Sequence, residues 1–116
     1  MSELERSVLT FSDYQHIAKS FALYPEKHKL TYPTLGLNGE AGEVAEKVKK
    51  IIRDSGGVVS PAIKLSLQRE LGDVLWYLSQ VATDLDIDLG ETANGNLAKL
   101  ADRASRNAIS GSGDDR

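Results

Sequence analysis

Four pairs of acidic residues stand three apart in this chain: Glu40/Glu43, Glu43/Glu46, Glu70/Asp73 and Asp88/Glu91. On a helix that spacing places two carboxylates on one face, about one turn from each other. With 17 acids in 116 residues, roughly two such pairs arise by chance, so one pair alone reads as a solvated helix face. Position against the apolar residues separates them. At ~100° per residue, Glu40 falls roughly 80° from the centre of its helix's apolar stripe, with Glu43 further round on the same side. Glu70 falls roughly 65° from the centre of the next helix's stripe, with Asp73 beyond it. Antiparallel packing of two such helices brings these flanks together. Carboxylates gathered at a half-buried border repel, so some keep a proton or a cation sits among them. No cysteine and no histidine at matching spacing joins them. An all-oxygen set of this kind favours magnesium, with manganese as a substitute, over zinc, and magnesium binds readily beside substrate phosphates.

Neighbouring residues extend the chemistry. Tyr77 lies one turn after Asp73, where its ring can face the acids and stack on a base. Trp76 points away from the main stripe, towards packing, a subunit interface or a base pocket. Lys47, one turn after Glu43, is either a phosphate ligand or half of a Glu–Lys helix pair. Gly36, Gly39, Gly42 and Gly72 fall inside expected helices at a cost of up to ~1 kcal/mol each, which close approach of a ligand or another helix would explain. Asp13 and His16 share a helical metal-pair spacing, but no second carboxylate–histidine pair accompanies them, against a di-iron bundle. His28 reads as a solvated loop histidine, and Lys47-Val48-Lys49-Lys50 as a solvated face.

The elements that must position these residues are helical. Tyr14, Ile17, Ala18, Phe21 and Ala22 mark a first helix, with Ser12 and Gln15 as a capping box and Tyr24-Pro25 as its end. Ala41, Val44, Ala45, Val48, Ile51 and Ile52 mark a second, from about Thr34 to Asp54, stopped by Ser55-Gly56-Gly57. Ser60-Pro61 opens a third, running to about Asp86 on Ile63, Leu67, Leu71, Val74, Leu75, Leu78, Val81, Ala82 and Leu85. A fourth covers about Asp88 to Asn107, with Leu89, Ala93, Leu97, Leu100, Ala101 and Ala104 inward. The expected fold is all-α: a four-helix, bundle-like protomer forming one domain over residues 1–109, with a disordered tail over 110–116.

Bulk properties set the outer bounds. A hydrophobic content of 41% over 116 residues supports one small core, and a small helical domain often buries leftover apolar surface by self-association. The net charge of −3 gives no basic excess for a nucleic-acid partner. Without cysteine, disulfides, thiolate metal sites and cysteine nucleophiles are excluded. With neither an apolar leader nor a membrane-spanning run, a soluble cytoplasmic protein without membrane partner is expected.

The segment Leu35-Gly36-Leu37-Asn38-Gly39-Glu40-Ala41-Gly42-Glu43-Val44-Ala45-Glu46, followed by Glu70-Leu71-Gly72-Asp73-Val74-Leu75-Trp76-Tyr77, resembles the MazG-like nucleotide pyrophosphohydrolases. These carry an E-x-x-E pair on one helix and an E-x-x-D pair on the next. Asn96-Leu97-Ala98-Lys99-Leu100-Ala101-Asp102-Arg103 resembles the family's N-x-x-K-x-x-x-R segment. The resemblance implies an all-α fold whose sites form in a homodimer or a dimer-of-dimers tetramer. It implies magnesium-dependent hydrolysis of nucleoside triphosphates to the monophosphate and pyrophosphate. Glu40, Glu43, Glu70 and Asp73 would then be metal ligands, Lys99 and Arg103 phosphate ligands, and Asn96 and Tyr77 nucleoside contacts. One carboxylate, with Glu43 as the candidate, would orient or deprotonate the attacking water. The alternatives are a related pyrophosphohydrolase acting on dUTP or phosphoribosyl-ATP, and a non-catalytic helical interaction module.

Overall fold

The computed structural model describes residues 9–106; the expected tail over 110–116 lies outside them. The described chain is all-helical: α1 (Phe11–Lys19), a short 3-10 turn (Glu26–His28), α2 (Thr31–Ser55), α3 (Pro61–Asp84) and α4 (Leu89–Ser105). The α2–α3 hairpin is the main body, α1 packs on α3 and on α4, and α4 touches α3 only lightly.

Local sequence explains the ends. Thr10, not Ser12, caps α1: its hydroxyl accepts from the Asp13 amide at 3.0 Å and Asp13 accepts from the Thr10 amide at 3.3 Å. This corrects the expected Ser12/Gln15 box, because those two side chains are committed elsewhere. Ser12 donates to Asp88 at 2.7 Å. The Gln15 amide nitrogen donates to Thr83 and to the Ile87 carbonyl, and its oxygen accepts from the Leu89 amide at 2.8 Å. One glutamine thus fastens the α3–α4 corner to α1. The helix also ends sooner than expected, at Lys19, leaving Phe21 beyond it and exposed.

The second helix starts a turn early, with Pro33 in its first turn, where a missing amide is no loss. Its entry is set from a distance: Asp84 at the end of α3 accepts from the Leu30 amide and from the Tyr24 hydroxyl, both at 2.8 Å. Leu30 there adopts a left-handed φ of 63°. The stop is as expected, with Gly56 and Gly57 at φ 60° and 82°. Ser60 caps α3, accepting from Ile63, with Pro61 following. Asp88 caps α4, accepting from the Glu91 amide at 3.1 Å. The Asp88/Glu91 pair is therefore a helix start.

The apolar core is small: Ala18, Ile51, Ala82 and Leu89 are the buried hydrophobic side chains among the described residues. The expected stripes are otherwise half-covered or open, with Val48, Ile52, Leu71, Leu78, Leu97 and Leu100 exposed. No described helix is long and apolar enough to cross a membrane.

Candidate functional site

Glu40 on α2 and Glu70 and Asp73 on α3 converge, each offering a carboxylate oxygen within 4.8 Å of the others. The hairpin does this: the two acidic flanks border the stripes by which α2 and α3 pack. Glu40 and Glu70 are half-buried and Asp73 is exposed. Glu43, one turn along α2, stays outside this close cluster and is exposed, although its charge is felt at Glu40.

The cluster is electrically asymmetric. A hydrogen bond shared with Glu70 holds Glu40 above the usual carboxylate range, helped by burial and by the charges of Glu70, Asp73 and Glu43. Glu70 is pulled the other way, chiefly by Lys47 and then by its hydrogen bond with Glu40. Lys47 crosses from α2 to α3, its ammonium 2.9 Å from Glu70 Oε1 and 2.6 Å from Ser66 Oγ. It does not make the plain helix pair with Glu43 that its spacing allowed. Glu70 Oε2 is buried and has no hydrogen-bond partner. Three converging carboxylates, two of them half-buried, fit a hard divalent cation well.

Beside the acids lies an aromatic wall. Tyr77 follows Asp73 by one turn, and its hydroxyl titrates higher than usual through burial, Tyr32 and the acids Glu40 and Asp73. Tyr24 and Tyr32 stack with centroids 5.1 Å apart, and Tyr32 lies 6.5 Å from Tyr77. With Phe21, Leu23 and Trp76 these tyrosines line a cleft of about 380 Å³. Trp76 donates its indole N–H to the Ala18 carbonyl at 3.1 Å, so it also ties α3 to α1. Gly36 sits directly under the Tyr77 ring, where any β-carbon would overlap ring atoms. Gly39, Gly42 and Gly72 have open space around them, so contact explains only the first of the helix glycines. Tyr24, Tyr32 and Ser66 were not foreseen from sequence. The signal for the tyrosines was available, since both flank the loop that leads into the acidic helix.

The α4 residues sit elsewhere. Asn96 and Lys99 are exposed along a groove of about 780 Å³ that they share with Phe11, Leu75 and Leu78. Arg103 is buried, at 6% exposed. On α3, Leu75 and Leu78 lie roughly 140° round the axis from Glu70, Asp73 and Tyr77. Within one protomer the acids and the α4 residues therefore face different openings.

Asp13 and His16 gather no third metal-ligating group among the described residues.

Comparisons with known proteins agree with this architecture. The chain is 48% identical over 109 residues to the Gene 37 protein of Mycobacterium phage L5, covering 89% of this chain and 96% of the phage protein. No solved structure gives a significant match. Residues 28–107 match the MazG nucleotide pyrophosphohydrolase domain, a span that takes in the hairpin, the three converging acids and all of α4. The chain belongs to the MazG nucleotide pyrophosphohydrolase family.

Proposed function

We propose that this protein hydrolyses nucleoside triphosphates, ribo or deoxy, to the monophosphate and pyrophosphate, with magnesium as its natural metal and manganese as a substitute. The observation that carries the reading is the convergence of Glu40, Glu70 and Asp73, each with a carboxylate oxygen within 4.8 Å of the others. These three, joined by Glu43, would hold the divalent cation. When bound, the cation would offset the charge of carboxylates and triphosphate and polarise the α-phosphoryl group.

The chain's own groups do the rest. Glu43, outside the close cluster and free of its hydrogen bonding, accepts a proton from the water that attacks the α-phosphorus, in line with departing pyrophosphate. Tyr77 presents its ring to the nucleoside, with Tyr32 and Tyr24 continuing the stacking surface. Asn96 contacts the nucleoside, and Lys99 and Arg103 stabilise charge on the leaving phosphates.

Because the acids and the α4 groove open on different sides of one protomer, the complete site is formed by a homodimer or a dimer of dimers. The exposed apolar residues of α2, α3 and α4 are the surface that assembly covers. The protein works in the cytoplasm.

A nucleotide panel with magnesium and identification of products tests the chemistry. Asp73→Asn and Glu43→Gln should each abolish turnover while helical circular dichroism stays intact. Near-normal activity in either variant would remove that residue from the machinery. Release of orthophosphate in place of pyrophosphate would refute the reaction class. Light scattering at micromolar concentration should give a mass at least twice 12.6 kDa, and a monomer would refute the shared site.

A further inference from the structure

Lys47 forms an ion pair with the carboxylate cluster, and it is pinned rather than free. Its ammonium has two partners on α3, Ser66 Oγ at 2.6 Å and Glu70 Oε1 at 2.9 Å. The pair is sheltered, with side-chain exposure of 31% for Lys47 and 17% for Glu70. The other ion pairs on α2 among the described residues, Lys49–Glu46, Lys50–Glu46 and Arg53–Asp54, are local to their own helix and more exposed. Only Lys47 bridges the two helices that carry the acids. Ser66 lies one turn before Glu70 on α3, so the hydroxyl and the carboxylate form a seat for one ammonium on that helix face.

The consequence lies in what remains of Glu70. Lys47 holds Oε1, Oε2 is buried, and the carboxyl shares a hydrogen bond with Glu40. A carboxylate clamped at one oxygen and buried at the other has little freedom to turn. Groups that clamp the non-ligating atom of a metal ligand commonly set its orientation, and removing them costs about 10–100-fold in metal affinity. We infer that Lys47, seated on Ser66, is a positioning residue that fixes the orientation of the Glu70 carboxylate within the cluster that would hold the divalent cation. This gives Lys47 a role distinct from phosphate binding, and it rests on the proposed metal role of the carboxylates.

The sign of one measurement decides the matter. A lysine ammonium close to a cation repels it, so on charge alone Lys47→Met should tighten metal binding. If Lys47 positions Glu70, the same substitution should weaken it by about ten-fold or more. Binding of manganese to the full chain, read from the EPR signal of the free ion without nucleotide, separates the two without recourse to activity. Lys47→Arg keeps a donor for Glu70 and should recover most of the affinity. Ser66→Ala should give a smaller loss in the same direction, and it keeps the test alive if Lys47→Met fails to fold. Manganese binding by the methionine variant as tight as wild type, or tighter, would overturn the inference and leave the metal site standing. Failure of the wild type to bind manganese would overturn both.

Discussion

Gly36 and Tyr77 make a sharp test of how the hairpin places its aromatic residue beside the acids. A β-carbon built on Gly36 overlaps three atoms of the Tyr77 ring, so Gly36→Ala forces that ring to retreat by roughly 1 Å or more to regain van der Waals distance. Two effects then oppose. Alanine gains about 1 kcal/mol over glycine inside a helix. Displacing a packed ring costs about 1–3 kcal/mol. Gly36→Ala alone should therefore be neutral to destabilising by up to about 2 kcal/mol. In a Tyr77→Ala background the clash is gone, and the same substitution should stabilise by up to about 1 kcal/mol. The coupling energy from urea unfolding of the four proteins should be about 1–3 kcal/mol. If the ring meets the nucleoside as proposed, and not the reacting phosphorus, nucleotide KM should rise in Gly36→Ala more than kcat falls. Equal stabilisation by Gly36→Ala in both backgrounds would refute the placement of Tyr77 over Gly36.

Two further outcomes follow from the same geometry. Asp84→Ala removes the acceptor shared by the Tyr24 hydroxyl and the Leu30 amide, and should cost about 1–3 kcal/mol in chemical unfolding, with faster amide exchange in the first turn of α2. Glu40 is held above the usual carboxylate range, first by its hydrogen bond to Glu70, so its folded state favours the proton. That preference stabilises the fold below the ordinary Glu titration and is lost as pH rises through the elevated one. Glu40→Gln keeps a neutral side chain throughout. In chelator, its melting temperature relative to wild type should therefore climb as pH rises across that window, and a flat difference would dismiss the shared proton.

Most of the fold was legible because its signals are local. Gly56-Gly57 and Ser60-Pro61 fix both ends of the α2–α3 turn through backbone conformation and capping alone, and the structure has them where the pattern put them. The failures are places where a side chain answers to something distant. Ser12 and Gln15 have the spacing of a capping box, yet their partners are 76 and 68 to 74 positions away. The early start of α2 depends on Asp84, 54 positions beyond Leu30. Helical period placed Glu40, Glu70 and Asp73 on facing borders. It could not show Glu43 standing apart, since that depends on how far the α2 flank turns from α3.

The difference between Glu40 and Glu70 shows what periodicity misses about a charged site. Both border their stripes and both are half-buried, so a helical projection treats them alike. One lysine breaks the equivalence. Lys47 reaches across to α3 because Ser66 and Glu70 lie one turn apart there, and its charge pulls Glu70 below the usual carboxylate range while the hydrogen bond with Glu70 holds Glu40 above it. The four acids are thus not four equivalent ligands. Glu70 is clamped by Lys47, Glu40 is held above the usual carboxylate range, Asp73 lies open to solvent, and Glu43 stands outside the close cluster.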